Sequence, residues 1–219
     1  MVFHRSSPRT GLRALVGSCL TLLAGGAWAV LSATTSSPPV GASSSDLTYP
    51  VGVPNAQEPS GMAPPAPNAL VRQGYRVSYI NDFPGSSLPA GWLPFTGVPG
   101  GDPGSQFAAS HVVVTNGELQ LQTWRDPHYN GNWVTGGLCQ CDLPHTYGAF
   151  FVRSRVTGPG PTIVELLWPI GDSWPPEVDF NETGGGVTSM TATVLFRPGH
   201  QHDQRTLVVN EMQWHTYGV

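Results

Sequence analysis

Between Tyr75 and Val219, apolar side chains recur at every second position within a series of short runs. No stretch of ten residues repeats them at the three-to-four spacing of an amphipathic helix. Alternation of period two is the signature of half-buried strands. Candidate strands are Tyr75 to Asn81, His111 to Val114, Glu118 to Trp124, Gly148 to Val156, Thr162 to Trp168, Glu177 to Glu182, Met190 to Phe196, Thr206 to Asn210 and Trp214 to Val219. Asn116-Gly117 between two of them predicts a tight hairpin. Many short strands joined by Gly and Pro turns predict an all-β chain, a two-sheet antiparallel β-sandwich of jelly-roll type. Tyr217-Gly218-Val219 still reads as strand interior, so the sandwich is expected to be incomplete and the chain a fragment.

Upstream the pattern changes twice. Arg5, Arg9 and Arg13 precede an apolar run from Ala14 to Leu31, and Ala27-Trp28-Ala29 offers a small-x-small cleavage site. Residues 1–33 therefore read as a secretory signal, with a membrane anchor as the alternative, which places the protein outside the cell or on its surface. Residues 34–71, rich in Ser, Pro, Ala and Gly, lack the apolar content to offset their ordering entropy and read as a disordered linker. Residues 72–219 are left for the folded domain. The chain has no lysine, and beyond residue 33 its 7 arginines face 14 acidic residues. Such a balance disfavours nucleic acid as a partner. Seven Trp and six Tyr in so weakly charged a chain suit stacking on sugar rings as well as core packing. Nothing in the sequence predicts an oligomer, and a monomer is expected.

With residues 1–33 removed, Cys139 and Cys141 are the remaining cysteines. On a regular strand their Cα atoms would be about 6.5 Å apart, at the long edge of disulfide geometry, so bonded and free forms both remain open. Two thiols with His145 nearby make a poor zinc site.

The densest chemical signal is Glu177-Val178-Asp179-Phe180-Asn181-Glu182. Strand alternation puts Glu177 and Asp179 on one face and Val178 and Phe180 on the other. Glu182 joins its fellow carboxylates only if a bulge at Phe180-Asn181 inserts one residue. Glu177 and Glu182 would then be about 13 Å apart at Cα. Inward-leaning side chains can bring the carboxyls near 5.5 Å, the spacing of a retaining glycosidase. A calcium site or a solvated acidic strand would use the same residues, and spacing alone does not choose. No cofactor is expected beyond such a structural calcium.

The hexapeptide resembles the active-site motif of glycoside hydrolase family 16, in the bulged E-x-D-x-x-E form of laminarinase-like members. Asn81-Asp82-Phe83-Pro84-Gly85, Asn116-Gly117-Glu118-Leu119, Tyr147 through Arg155, Trp174-Pro175-Pro176 and Gln213 through Val219 resemble further family motifs, in the expected order from Tyr79 onward. The resemblance implies a concanavalin A-like jelly roll and retaining hydrolysis of β-1,3 or mixed β-1,3/1,4 glucans. It makes Glu177 the nucleophile, Asp179 its assistant and Glu182 the acid/base. Trp168 and Trp174 become sugar platforms under it. Where many members carry a histidine-aromatic-glycine element, this chain reads Thr193-Val194-Leu195-Phe196-Arg197.

Other candidates are weaker. Trp133, in a Gly-rich loop, suits a distant sugar subsite or simple packing. Arg153 and Arg155 share a strand face, where Arg153 is a candidate substrate-binding residue and a bridge between strands is the competing role. Glu165 can face either way. His200 and His202 read as solvated, and Gly184-Gly185-Gly186 as a turn that lets sugar approach. The alternative to an O-glycosyl hydrolase is a non-catalytic carbohydrate-binding sandwich, and a calcium-stabilised structural protein comes third.

Overall fold

A computed structural model describes residues 2–5, 19–23, 70–100, 102–197 and 201–219. The expected linker lies outside the described residues as far as residue 69. The fold reaches back to Leu70, which is fully buried.

Strands account for nearly all regular structure. In chain order they are β1 (Val2–Arg5), β2 (Cys19–Leu23), β3 (Tyr75–Tyr79), β4 (Trp92–Pro94), β5 (Ser105–Phe107), β6 (Val112–Thr115), β7 (Glu118–Leu121) and β8 (Thr123–Asp126). There follow β9 (Asn132–Thr135), β10 (Leu138–Gln140), β11 (Ala149–Ser154), β12 (Val164–Trp168), β13 (Glu177–Glu182), β14 (Ser189–Arg197), β15 (Gln201–Val208) and β16 (His215–Gly218). A seven-stranded sheet has the order β15-β14-β13-β12-β2-β10-β4, and a four-stranded sheet the order β16-β11-β1-β3. Two small sheets, β5-β9-β8 and β6-β7, complete the fold. Pairing is antiparallel except between β5 and β9. The chain is all-β, as its alternation predicts.

The two larger sheets stack through a core of Phe180, Met190 and Tyr217, joined by Val152 and Leu167. These residues come from β13, β14, β16, β11 and β12, so both sheets contribute inward faces, the packing of a sandwich. A second cluster centres on Trp92 and Leu138 and draws in Tyr79, Phe83 and Leu121. Between the clusters lies a cavity of about 1070 Å³, whose lining includes Phe83, Trp92, Phe150, Val152, Leu167 and Glu165. Asn116 and Gly117 both have positive φ, 54° and 76°, the backbone of a primed turn, and β6 and β7 pair around them.

Two differences from the sequence expectation have simple causes. The strand expected at Thr206 to Asn210 runs instead from Gln201 to Val208 and is exposed along its whole length. Backbone pairing with β14 forms it, not apolar burial, as befits a sheet edge. Strands β4, β5, β9 and β10 escape notice in the sequence because three or four residues are too few to display a period. The segments of residues 1–33 that the structure describes, β1 and β2, lie inside the sheets. β1 pairs with both β3 and β11, and β2 with both β10 and β12. Cys139 and Cys141 form a disulfide with Cα atoms 5.2 Å apart. The closer approach follows because β10 ends at Gln140 and Cys141 leaves the strand.

Glu165 faces inward and is fully buried. Ser154 and Asn181 lie beside it, and Asn181 also lies beside buried Glu211, whose other oxygen accepts a 2.7 Å bond from the Tyr217 hydroxyl. Both Glu165 oxygens and both polar atoms of the Asn181 side chain lack a partner at hydrogen-bond geometry. The Ser154 hydroxyl and the Asn181 amide favour the charged form of Glu165, and burial outweighs them. Burial pushes the Glu165 carboxyl up to about 8, with the Glu211 charge adding to it.

A carboxyl raised in the fold stabilises fully below its unfolded value of 4.5, and the contribution is lost as pH rises toward 8. Stability of the native protein should therefore fall across that window by up to about 1.4 kcal/mol per pH unit from this group. Glu165→Gln, neutral throughout, should flatten that slope by one proton. Urea melts from pH 5 to 8 check this, and an unchanged slope would refute the neutral Glu165.

Candidate functional site

The geometry of the acidic strand follows from one irregularity. Leu166 of β12 pairs with Asp179, but the preceding Glu165 pairs with Asn181, so Phe180 has no partner on β12. On the other side Asp179 pairs with Thr193 and Glu182 with Thr191, leaving Phe180 and Asn181 together opposite Ala192. Two residues against one is a β-bulge. Phe180 and Asn181 both turn inward and are buried, and Glu182 returns to the face that carries Glu177 and Asp179. The bulge expected from the sequence is present at the expected residues.

Glu177, Asp179 and Glu182 line a single cavity of about 340 Å³, together with Thr193, Leu195, His202 and Gln204. Of the lining residues Asp179 and Thr193 are the buried ones, each 6% exposed, while those on β15 are exposed. Glu177 is held from its own lead-in segment, where the Trp174 indole N–H donates to Oε2 at 2.8 Å. The Thr191 hydroxyl lies 3.4 Å from Glu182 Oε2. Gln204 Nε2 donates to Thr193 Oγ1 at 2.9 Å across the floor.

Two of the three carboxyls, Asp179 and Glu182, have raised proton affinity. For Asp179 burial is the main cause, followed by the charges of Glu177 and Glu182 and a hydrogen bond shared with Glu177. Asp179 therefore holds a proton that Glu177 can share. Glu182 is also raised, first by burial and then by the Glu177 charge, against the lowering effect of the Thr191 hydroxyl. Glu182, with its raised proton affinity, thus stands at one end of the row, and Glu177, held by the Trp174 indole, at the other. Such a site can protonate a leaving oxygen while presenting a nucleophile.

The aromatic and basic candidates divide. Trp168 ends β12 one residue past the Leu167–Val178 pair, which sets it beside Glu177, and its indole donates to Asp172 at 2.7 Å. Trp174 is bound to Glu177 itself. Trp133 stands apart on β9 of a small sheet, 49% exposed, with the Arg125 guanidinium 5.2 Å from its ring centre. Arg153 is on the four-stranded sheet, donates to Thr216 Oγ1 at 3.3 Å and lies over the Trp214 ring beside Arg155. Neither Trp133 nor Arg153 lines the carboxylate cavity, and for Arg153 the bridging role fits these contacts. Gly185 serves packing between loops. Its φ is 81°, and a Cβ there would meet the Gly160 carbonyl oxygen at 2.7 Å.

Thr193, Leu195, His202 and Gln204 are site residues that the sequence reading passes over. His202 reads there as solvated, and His200 lies outside the described residues. The available signal was alternation in Gln201 to Val208, which puts His202, Gln204 and Thr206 on one face. Among the described residues no group of three or more His, Cys, Asp or Glu is arranged to hold a metal ion.

No family model and no curated protein matches the chain. Among solved structures, it is similar to the X-ray structure of endo-beta-1,3-glucanase from Pyrococcus furiosus, with a TM-score of 0.49 and 19% sequence identity. The similarity covers 65% of this chain and 66% of that one.

Proposed function

We propose that the protein is a retaining endo-hydrolase of β-1,3 or mixed β-1,3/1,4 glucans of the family 16 type. The observation that carries the reading is the bulge that brings Glu177, Asp179 and Glu182 to one cavity. In the first step Glu182 gives its proton to the glycosidic oxygen while the Glu177 carboxylate attacks the anomeric carbon. The leaving sugar departs as an alcohol and a glycosyl ester forms on Glu177. In the second step Glu182, now a carboxylate, takes a proton from water, which cleaves the ester and restores both residues. Trp174 holds Glu177 in line, and the proton on Asp179 moderates its charge. Trp168 offers a face for a sugar ring. We also place the reaction outside the cytoplasm, because the Cys139–Cys141 disulfide suits an oxidising compartment.

Glu177→Gln should lower turnover of laminarin or lichenan by on the order of a thousandfold or more, with the thermal melt unchanged. Undiminished release of reducing ends would refute the assignment. The raised proton affinity of Glu182 sets the alkaline limb of the pH–rate profile, since activity is lost as that proton leaves. Thr191→Val removes the hydroxyl that favours the charged form and should move the limb to higher pH. A limb that stays in place would separate Glu182 from the acid role.

A further inference from the structure

We propose that β15 forms a sugar-binding subsite on one flank of the carboxylate cavity, with His202 and Gln204 hydrogen-bonding the hydroxyls of a pyranose ring near the cleaved bond. The inference rests on the reading of the cavity as a glycan site and adds to it the residues that select the sugar on this flank.

Register places the residues. Residues directly opposite in antiparallel strands point to the same side of a sheet. Glu177 pairs with Leu195, which pairs with His202, and Asp179 pairs with Thr193, which pairs with Gln204. Glu182, Thr191 and Thr206 make a third row. Each carboxylate thus heads a row that crosses two strands and ends on β15. Two strand spacings amount to about 9–10 Å. That is too far for His202 to serve the reacting carbon and close enough for it to meet a neighbouring ring.

Chemistry agrees with placement. The lining on this flank is Thr193, Leu195, His202 and Gln204, with no Phe, Tyr or Trp among them. Trp168 and Trp174 lie near Glu177 on the far side of the row and do not line the cavity, so its β14–β15 flank is a hydrogen-bonding one. Imidazole and amide each supply both donor and acceptor atoms, which matches the dual nature of a sugar hydroxyl. Gln204 is anchored, because one of its amide hydrogens is committed to buried Thr193. Sites that bind a hydroxyl by hydrogen bonds discriminate against sugars lacking it, whereas stacking alone is tolerant. The β15 flank is therefore where configuration is read.

The test measures binding of a β-1,3-linked glucose hexasaccharide to the full chain by titration calorimetry, in a Glu177→Gln background to prevent turnover. Adding His202→Ala or Gln204→Ala should each weaken binding by about three- to tenfold, the worth of one or two hydrogen bonds. Asp203→Ala, on the opposite face of β15, should leave it unchanged, and thermal melts verify that each variant is folded. Equal affinity with and without His202 and Gln204 overturns the subsite, as does the absence of any binding. The catalytic reading is tested separately by hydrolysis with unmodified Glu177. Binding that depends on His202 without turnover would refute catalysis and support the subsite, whereas turnover with no His202 dependence of binding would do the reverse.

Discussion

A single extra residue decides which side chains of β13 share a face. Without the bulge at Phe180-Asn181, β13 would alternate strictly, and Glu182 would point into the sandwich with the apolar side chains. With it, three carboxyls share one face. The same irregularity serves the other side of the sheet, where Phe180 enters the inter-sheet core and Asn181 sits between Glu165 and Glu211. Site and core are therefore coupled through one strand.

Both sides of that strand use burial to hold protons, with different ends. On the cavity side Asp179 and Glu182 are raised by partial burial and by one another's neighbours, while hydrogen bonds from Trp174 and Thr191 orient the row. On the inner side Glu165 is raised by burial, with the Glu211 charge adding to it. The first arrangement sits at an open cavity, and the second lies in the core.

Much of this was legible in the sequence, and the omissions share a physical cause. Val178 and Phe180 announced a buried face, and three acidic residues in six announced a second, so the need for a bulge could be argued from pattern alone. The primed turn at Asn116-Gly117 was equally plain. Pattern was silent about β15, because an edge strand held by backbone hydrogen bonds needs no apolar residues, and its histidine looked like surface. It was silent too about where Trp133 and Arg153 would go, since alternation assigns a face to a side chain but not a neighbour across the fold.

The placement of β1 and β2 has a consequence for how the protein is made. Each is flanked on both sides by other strands, so a chain beginning after Ala33 would carry four uncovered backbone ladders, along β3, β11, β10 and β12. Ladders of this kind are templates for a strand from another molecule. Pairing on both sides makes β1 and β2 part of what closes the two larger sheets, so a chain that lacked them would need other strands to cover those four ladders.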